Sequence, residues 1–158
     1  MPHLVATAVL GVSTPPTHGA LLSAVAVALR EVPEVNGAYT DGGASAYADV
    51  NLAVALPGPV APVIADADER TPAELEAALA ELRGRAAETF VAADLAGATF
   101  TVHGLGVDGL ASLTPVLTPR QAGALGVAGA HLTLALDARL LGADDAGRFL
   151  RALVAAVE

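Results

Sequence analysis

Apolar residues along this chain switch between a period of two and a period near three and a half, and the switches outline its elements. Leu4 to Val12 (LVATAVLGV) is almost unbroken and reads as a buried first strand. Ser13-Thr14-Pro15-Pro16-Thr17 is a turn, because a proline cannot donate to a strand ladder. From Ala20 to Arg30 the residues Leu21, Leu22, Val25 and Leu29 recur at helical spacing, and Pro33 stops the helix. Asn36-Gly37 and Asp41-Gly42-Gly43 mark turns around a short segment at Tyr39. Asp49 to Leu56 and Val60 to Ala65 read as strands parted by Pro57-Gly58-Pro59.

The clearest helix signal comes next. Thr71 is the expected N-cap, Pro72 occupies the first helical position, and Glu74 completes a capping box. Leu75, Leu79 and Leu82 form the apolar stripe. Arg83 and Arg85 stand near the end, where the helix dipole favours cations. The pattern predicts a helix reaching Thr89. Asp94 to Gly97 reads as a short helical turn with a glycine stop. Ala98 to His103 is a strand with Thr99, Thr101 and His103 on one face and Phe100 and Val102 on the other. The following GLGVDGL is a flexible loop. It has neither the GK[ST] ending of a phosphate loop nor the GxGxxG order of a dinucleotide fold. Gln121 to Ala130 is a buried strand of small residues. His131 to Asp137 alternates as a strand, bends through Leu141-Gly142-Ala143, and gives way to a helix at Asp144-Asp145 that carries Phe149, Leu150, Leu153, Val154 and Val157. Strands and helices are interspersed without regular βαβ alternation, which predicts one α/β domain over residues 1–158 with a mixed sheet and packed helices.

Composition narrows the chemistry. Apolar residues make up 54% of the 158 and charged ones 16%, enough for a packed core and too apolar for intrinsic disorder. With two Tyr, three Phe and no Trp, that core is built from Ala, Val and Leu. Eight basic against seventeen acidic side chains give −9, which argues against a nucleic-acid partner. The absence of cysteine excludes disulfides, thiolate metal sites and a cysteine nucleophile. No basic leader and no long apolar run appear, so a soluble cytoplasmic protein without a membrane partner is expected.

Few side chains carry obvious chemistry. No two histidines are spaced as metal ligands on a helix, so no metal is expected. His3 and His18 lie near the starts of elements and are expected to face solvent. Asp66, Asp68 and Glu69 form a solvated loop without calcium-ligand spacing. No serine sits in a GxSxG elbow. His131, Thr133 and Asp137 share a strand face, where a polar cluster is expected.

Seven segments, in order, resemble the catalytic core of the dihydrolipoyl acyltransferases of 2-oxoacid dehydrogenase complexes. They are PHLVAT at Pro2, AVAVALREVPEVN at Ala24, DVNLAVALP at Asp49, APVIADAD at Ala61, DLAGATFTV at Asp94, TPRQAGALGV at Thr118 and LTLALDARLL at Leu132. The resemblance implies a chloramphenicol-acetyltransferase-like fold, a trimer with its site between subunits, and a coenzyme A thioester as acyl donor. In the family a histidine in a DHRxx[DN]G motif acts as general base, and a serine in TFTxSNLG supports the developing oxyanion.

This chain departs from both motifs. Ala138 falls on the base histidine, Gly142 on the acidic or amide position and Ala143 on the motif glycine. His103 falls on the serine and Gly104 on the asparagine after it. Asp137 and Arg139, which flank the base position, are retained and are expected to brace the turn structurally. The Ser13–Gly19 and Gly129-Ala130 segments are shorter than usual for the family, and no lipoyl or peripheral subunit-binding domain is recognisable. Loss of a general base costs about 10²–10⁴ in rate and loss of an oxyanion donor roughly 10²–10³. The first expectation is a non-catalytic homotrimeric relative serving structure, assembly or regulation alongside the subunits of a 2-oxoacid dehydrogenase-type complex. The second is an acyltransferase moving an acyl group between coenzyme A and a small thiol or hydroxyl acceptor, with His103 as a displaced base.

Overall fold

The computed structural model describes residues 2–158. Its centre is a six-stranded sheet in the order β1-β8-β7-β6-β4-β5, formed by β1 (His3–Val9), β4 (Leu52–Val54), β5 (Val63–Ile64), β6 (Phe100–His103), β7 (Gly123–Ala128) and β8 (His131–Asp137). β4, β6 and β7 run parallel, while β1, β5 and β8 pair antiparallel with their neighbours. The mixed α/β sheet expected from the sequence is therefore present. A separate hairpin joins β2 (Gly37–Thr40) to β3 (Gly43–Ala46) through Asp41 and Gly42, both with positive φ (48° and 76°). That backbone matches the twist of a two-residue hairpin, so the expected turns at Tyr39 are one β-hairpin.

Strand alternation divides the sheet into two faces. Phe100 and Val102 of β6, Leu125 of β7 and Leu132, Leu134 and Leu136 of β8 point into the main core with α1 (His18–Glu31), α2 (Pro72–Gly84) and α3 (Ala143–Val157). Phe149 of α3 meets Phe100 with ring centroids 5.7 Å apart. Each buried leucine of this kind contributes about 1.5–3 kcal/mol of hydrophobic free energy. The opposite face is lined by small residues. There Ala124 and Ala135 cluster with Leu117, which belongs to the long segment after β6.

Local signals explain the helix ends. Thr71 Oγ1 accepts from Glu74 N (3.1 Å) and Thr71 N donates to Glu74 Oε2 (2.9 Å), the predicted capping box. Thr17 caps α1 through Ala20 N, and Asp145 Oδ2 accepts from Gly142 N at 2.8 Å where α3 begins. α2 stops at Gly84 rather than Thr89, because Arg85 adopts extended backbone and turns to bond Thr89 and Asp94. Two predicted strands are shorter than expected: Asp49–Leu56 contributes only Leu52–Val54, and Val60–Ala65 only Val63–Ile64.

The first strand departs most from its prediction. It is not buried but is the sheet's outer strand, with alternate exposed and half-buried residues from His3 to Val9. An apolar run looks the same whether both faces or one face is covered, and its position at the edge comes only from pairing with β8. No helix among the described residues is long and apolar enough to cross a membrane.

Candidate functional site

The turn after β8 is built around one carboxylate. Asp137 ends the strand 2% exposed, and its carbonyl accepts from Leu140 and Leu141 N, folding the chain toward α3. Its Oδ1 accepts from Arg139 N and Nε, both at 3.0 Å, and its Oδ2 accepts from Arg139 Nη2 at 2.7 Å. The Arg139 bonds hold the Asp137 carboxyl below the usual carboxylate range, against the opposing effect of burial. Arg139 also stacks on Tyr39, its guanidinium carbon 3.9 Å from the ring centroid. Asp137 and Arg139 are thus an ion pair with each other across the turn. The expected polar cluster with His131 and Thr133 does not form: Asp137 spends its acceptors on Arg139, Thr133 is buried, and His131 is exposed at the far end of the strand.

Between the two bracing residues Ala138 is exposed, its N–H donating to Pro2 O at 3.0 Å. Its side chain is a methyl group, so it can neither accept nor donate a proton. Gly142 and Ala143 open α3 without adding a functional group.

His103 closes β6 beside Gly126 of β7. The chain then reverses through Gly104 at φ +89°, where a Cβ would collide with the Val127 carbonyl, and returns across the sheet with Leu113 pressed on Gly126. Glycine is required at both places, at Gly104 by backbone and at Gly126 by close approach. His103 Nε2 is buried without a hydrogen-bond partner. Burial lowers the His103 pKa, so the ring is neutral at pH 7. His103 is level with Thr133 through Gly126, and five further residues along β8 lead to Ala138. At the rise and spacing of β-strands that is about 16 Å along the sheet and about 10 Å across it, so one chain does not bring the two positions together.

A histidine the sequence placed in solvent stands elsewhere. His18 opens α1 half-buried in a cleft of about 290 Å³ walled by Leu10, Val12, Pro16, Leu21, Val107 and Val127. Its Nδ1 accepts from Arg83 Nη2 at 2.9 Å, and that nitrogen also reaches Leu105 O at 3.3 Å. Burial first, then the Arg83 charge, lowers the His18 pKa, with Glu76 opposing. The correction has a physical reason: the partner is 65 residues away and no local pattern announces it. Among the described residues no group of three His, Cys, Asp or Glu is placed to hold a metal.

The chain thus combines a mixed sheet with helices on one face, a strand-to-helix turn holding the Asp137–Arg139 pair and a long segment crossing the bare face. The fold of chloramphenicol acetyltransferase is similar at a TM-score of 0.68 and 12% identity, over 99% of this chain and 89% of that one. A probable dihydrolipoamide acetyltransferase from Listeria monocytogenes superposes at a TM-score of 0.90 and 24% identity, over 99% of this chain and 84% of its own. Residues 17–131 match the family described as 2-oxoacid dehydrogenases acyltransferase (catalytic domain), and the chain belongs to that family. The human dihydrolipoyllysine-residue succinyltransferase component of the 2-oxoglutarate dehydrogenase complex is 33% identical over 88% of this chain. The chain spans 36% of that relative's length.

Proposed function

We propose that this chain is a non-catalytic homotrimeric relative of the acyltransferase cores, serving assembly or regulation beside the subunits of a 2-oxoacid dehydrogenase-type complex. One observation carries the reading. The Asp137–Arg139 brace is intact around Ala138, a residue that cannot move a proton. The apolar side chains on the face away from the helices support self-association. Val5 and Val9 on the edge strand are 48% and 61% exposed, and Val116 in the crossing segment is 73% exposed.

A second reading rests on the buried, unpartnered Nε2 of His103. A neutral imidazole held dry is a competent base toward a thiol if a neighbouring chain brings the acceptor to it. The protein would then move an acyl group from a coenzyme A thioester to a small thiol or hydroxyl.

Light scattering and a thiol-release assay with acetyl-coenzyme A and dihydrolipoamide test the two readings together. The expected result is a particle of three chains with no transfer above the buffer rate. A strict monomer defeats the assembly reading. Transfer that disappears in His103→Ala establishes the second reading, and transfer that survives the substitution removes His103 from any catalytic role.

A further inference from the structure

The His18 cleft is independent of the Ala138 turn and lies within one chain. Arginine has only donors, so at 2.9 Å from Arg83 Nη2 the His18 Nδ1 must be the unprotonated, accepting nitrogen. A neutral ring then carries its proton on Nε2. Among the described residues Nε2 has no hydrogen-bond partner, and it is not among the buried unpartnered atoms. The cleft thus combines apolar walls with the His18 ring, the Ser13 hydroxyl and the Asp108 carboxylate, the mixed lining of a small-molecule site.

Charge decides the class of ligand. Arg83 and Glu76 of α2 and Asp108 of the long segment are the charged groups set about the ring and cleft. Glu76 Oε2 accepts from Gly19 N at 2.6 Å, one residue from His18. One cation against two carboxylates offers an anion no advantage, whereas an uncharged oxygen acceptor suits a neutral donor.

We infer that this cleft binds an uncharged carbonyl compound with a short apolar chain, His18 Nε2–H donating to its oxygen and Arg83 positioning the ring. The apolar chain lies against Leu10, Val12, Pro16 and Val127. Arg83 acts through His18, since its Nη2 donates to His18 Nδ1 and Leu105 O. The inference does not depend on turnover or on trimer formation.

Nuclear magnetic resonance on the full chain tests it. Nitrogen shifts of His18 report the tautomer without any substitution: Nε2–H is expected, and an Nδ1–H ring overturns the inference. Titration then compares ethyl butanoate with butanoate and with ethyl butyl ether, which has the same shape but no carbonyl. The ester is expected to shift the His18 ring resonances saturably and to bind more tightly than either comparison compound. His18→Phe is expected to weaken the ester about three- to tenfold and leave the ether unchanged, while His18→Gln keeps most of the affinity. Arg83→Met is expected to mix the tautomers and raise the His18 pKa. Ester binding no tighter than ether binding overturns the inference, as does an Arg83→Met protein with unchanged tautomer and affinity.

Discussion

Asp137→Asn tests whether the turn that carries Ala138 is held by charge. Asparagine keeps the shape of the side chain and one carbonyl oxygen, enough for the Arg139 backbone N–H. The amide nitrogen replaces Oδ2, which accepts Arg139 Nη2 at 2.7 Å, and sets two donors face to face. A hydrogen bond to a charged group is worth about 1.5–3 kcal/mol. The Asp137 side chain is 3% exposed but the Arg139 side chain is 38% exposed, so the guanidinium regains water when its partner is lost, and solvent screens the pair. The expected destabilisation is therefore about 2 kcal/mol at pH 7, short of the cost of stranding a fully buried charge.

Urea unfolding at fixed protein concentration measures this loss, with the denaturant slope unchanged. The pH dependence supplies the second readout. Because the folded state holds the Asp137 pKa below its ordinary value, the stabilisation is complete above about pH 4 and is lost as pH falls through the folded value. Wild type and variant should converge in acid. A difference under about 0.5 kcal/mol at pH 7, or one that persists unchanged at low pH, would refute a charge-held turn.

Two further substitutions probe the bare face. His103→Leu removes a buried nitrogen that has no partner, and is expected to leave stability unchanged or raise it by about 1 kcal/mol in thermal unfolding at neutral pH. Since the folded state lowers the His103 pKa, wild type loses stability as pH falls below about 6.5, and the variant should lose less; a loss above about 1 kcal/mol at pH 7 defeats this account. Gly104→Ala puts a Cβ at φ +89° against the Val127 carbonyl, and a cost of about 2 kcal/mol or more is expected, with faster amide exchange across β6 and β7. Unchanged exchange there shows that the crossing segment does not depend on this reversal.

The parts of the site that were legible in sequence are those governed by neighbours in the chain. Asp137 and Arg139 are two residues apart and form an ion pair with each other. The capping box at Thr71 and Glu74 is likewise local. His18 was misplaced because its environment is assembled from α1, α2 and the segment after β6. The burial of His103 Nε2 was hidden for the same reason: Gly104 and Gly126 admit the returning chain, and neither glycine announces what will lie against it.

The order of periods along the chain, with its proline and glycine stops, determined the α/β class, the sites of the three helices and the two faces of β6. Those properties depend on backbone geometry over a few residues, where spacing and side-chain direction are coupled. Tertiary structure alone decided that β1 is an edge, that Ala138 and His103 lie apart within one chain, and that His18 faces Arg83 across a cleft. Each depends on which distant segments pack together, a choice made by burial summed over the whole core.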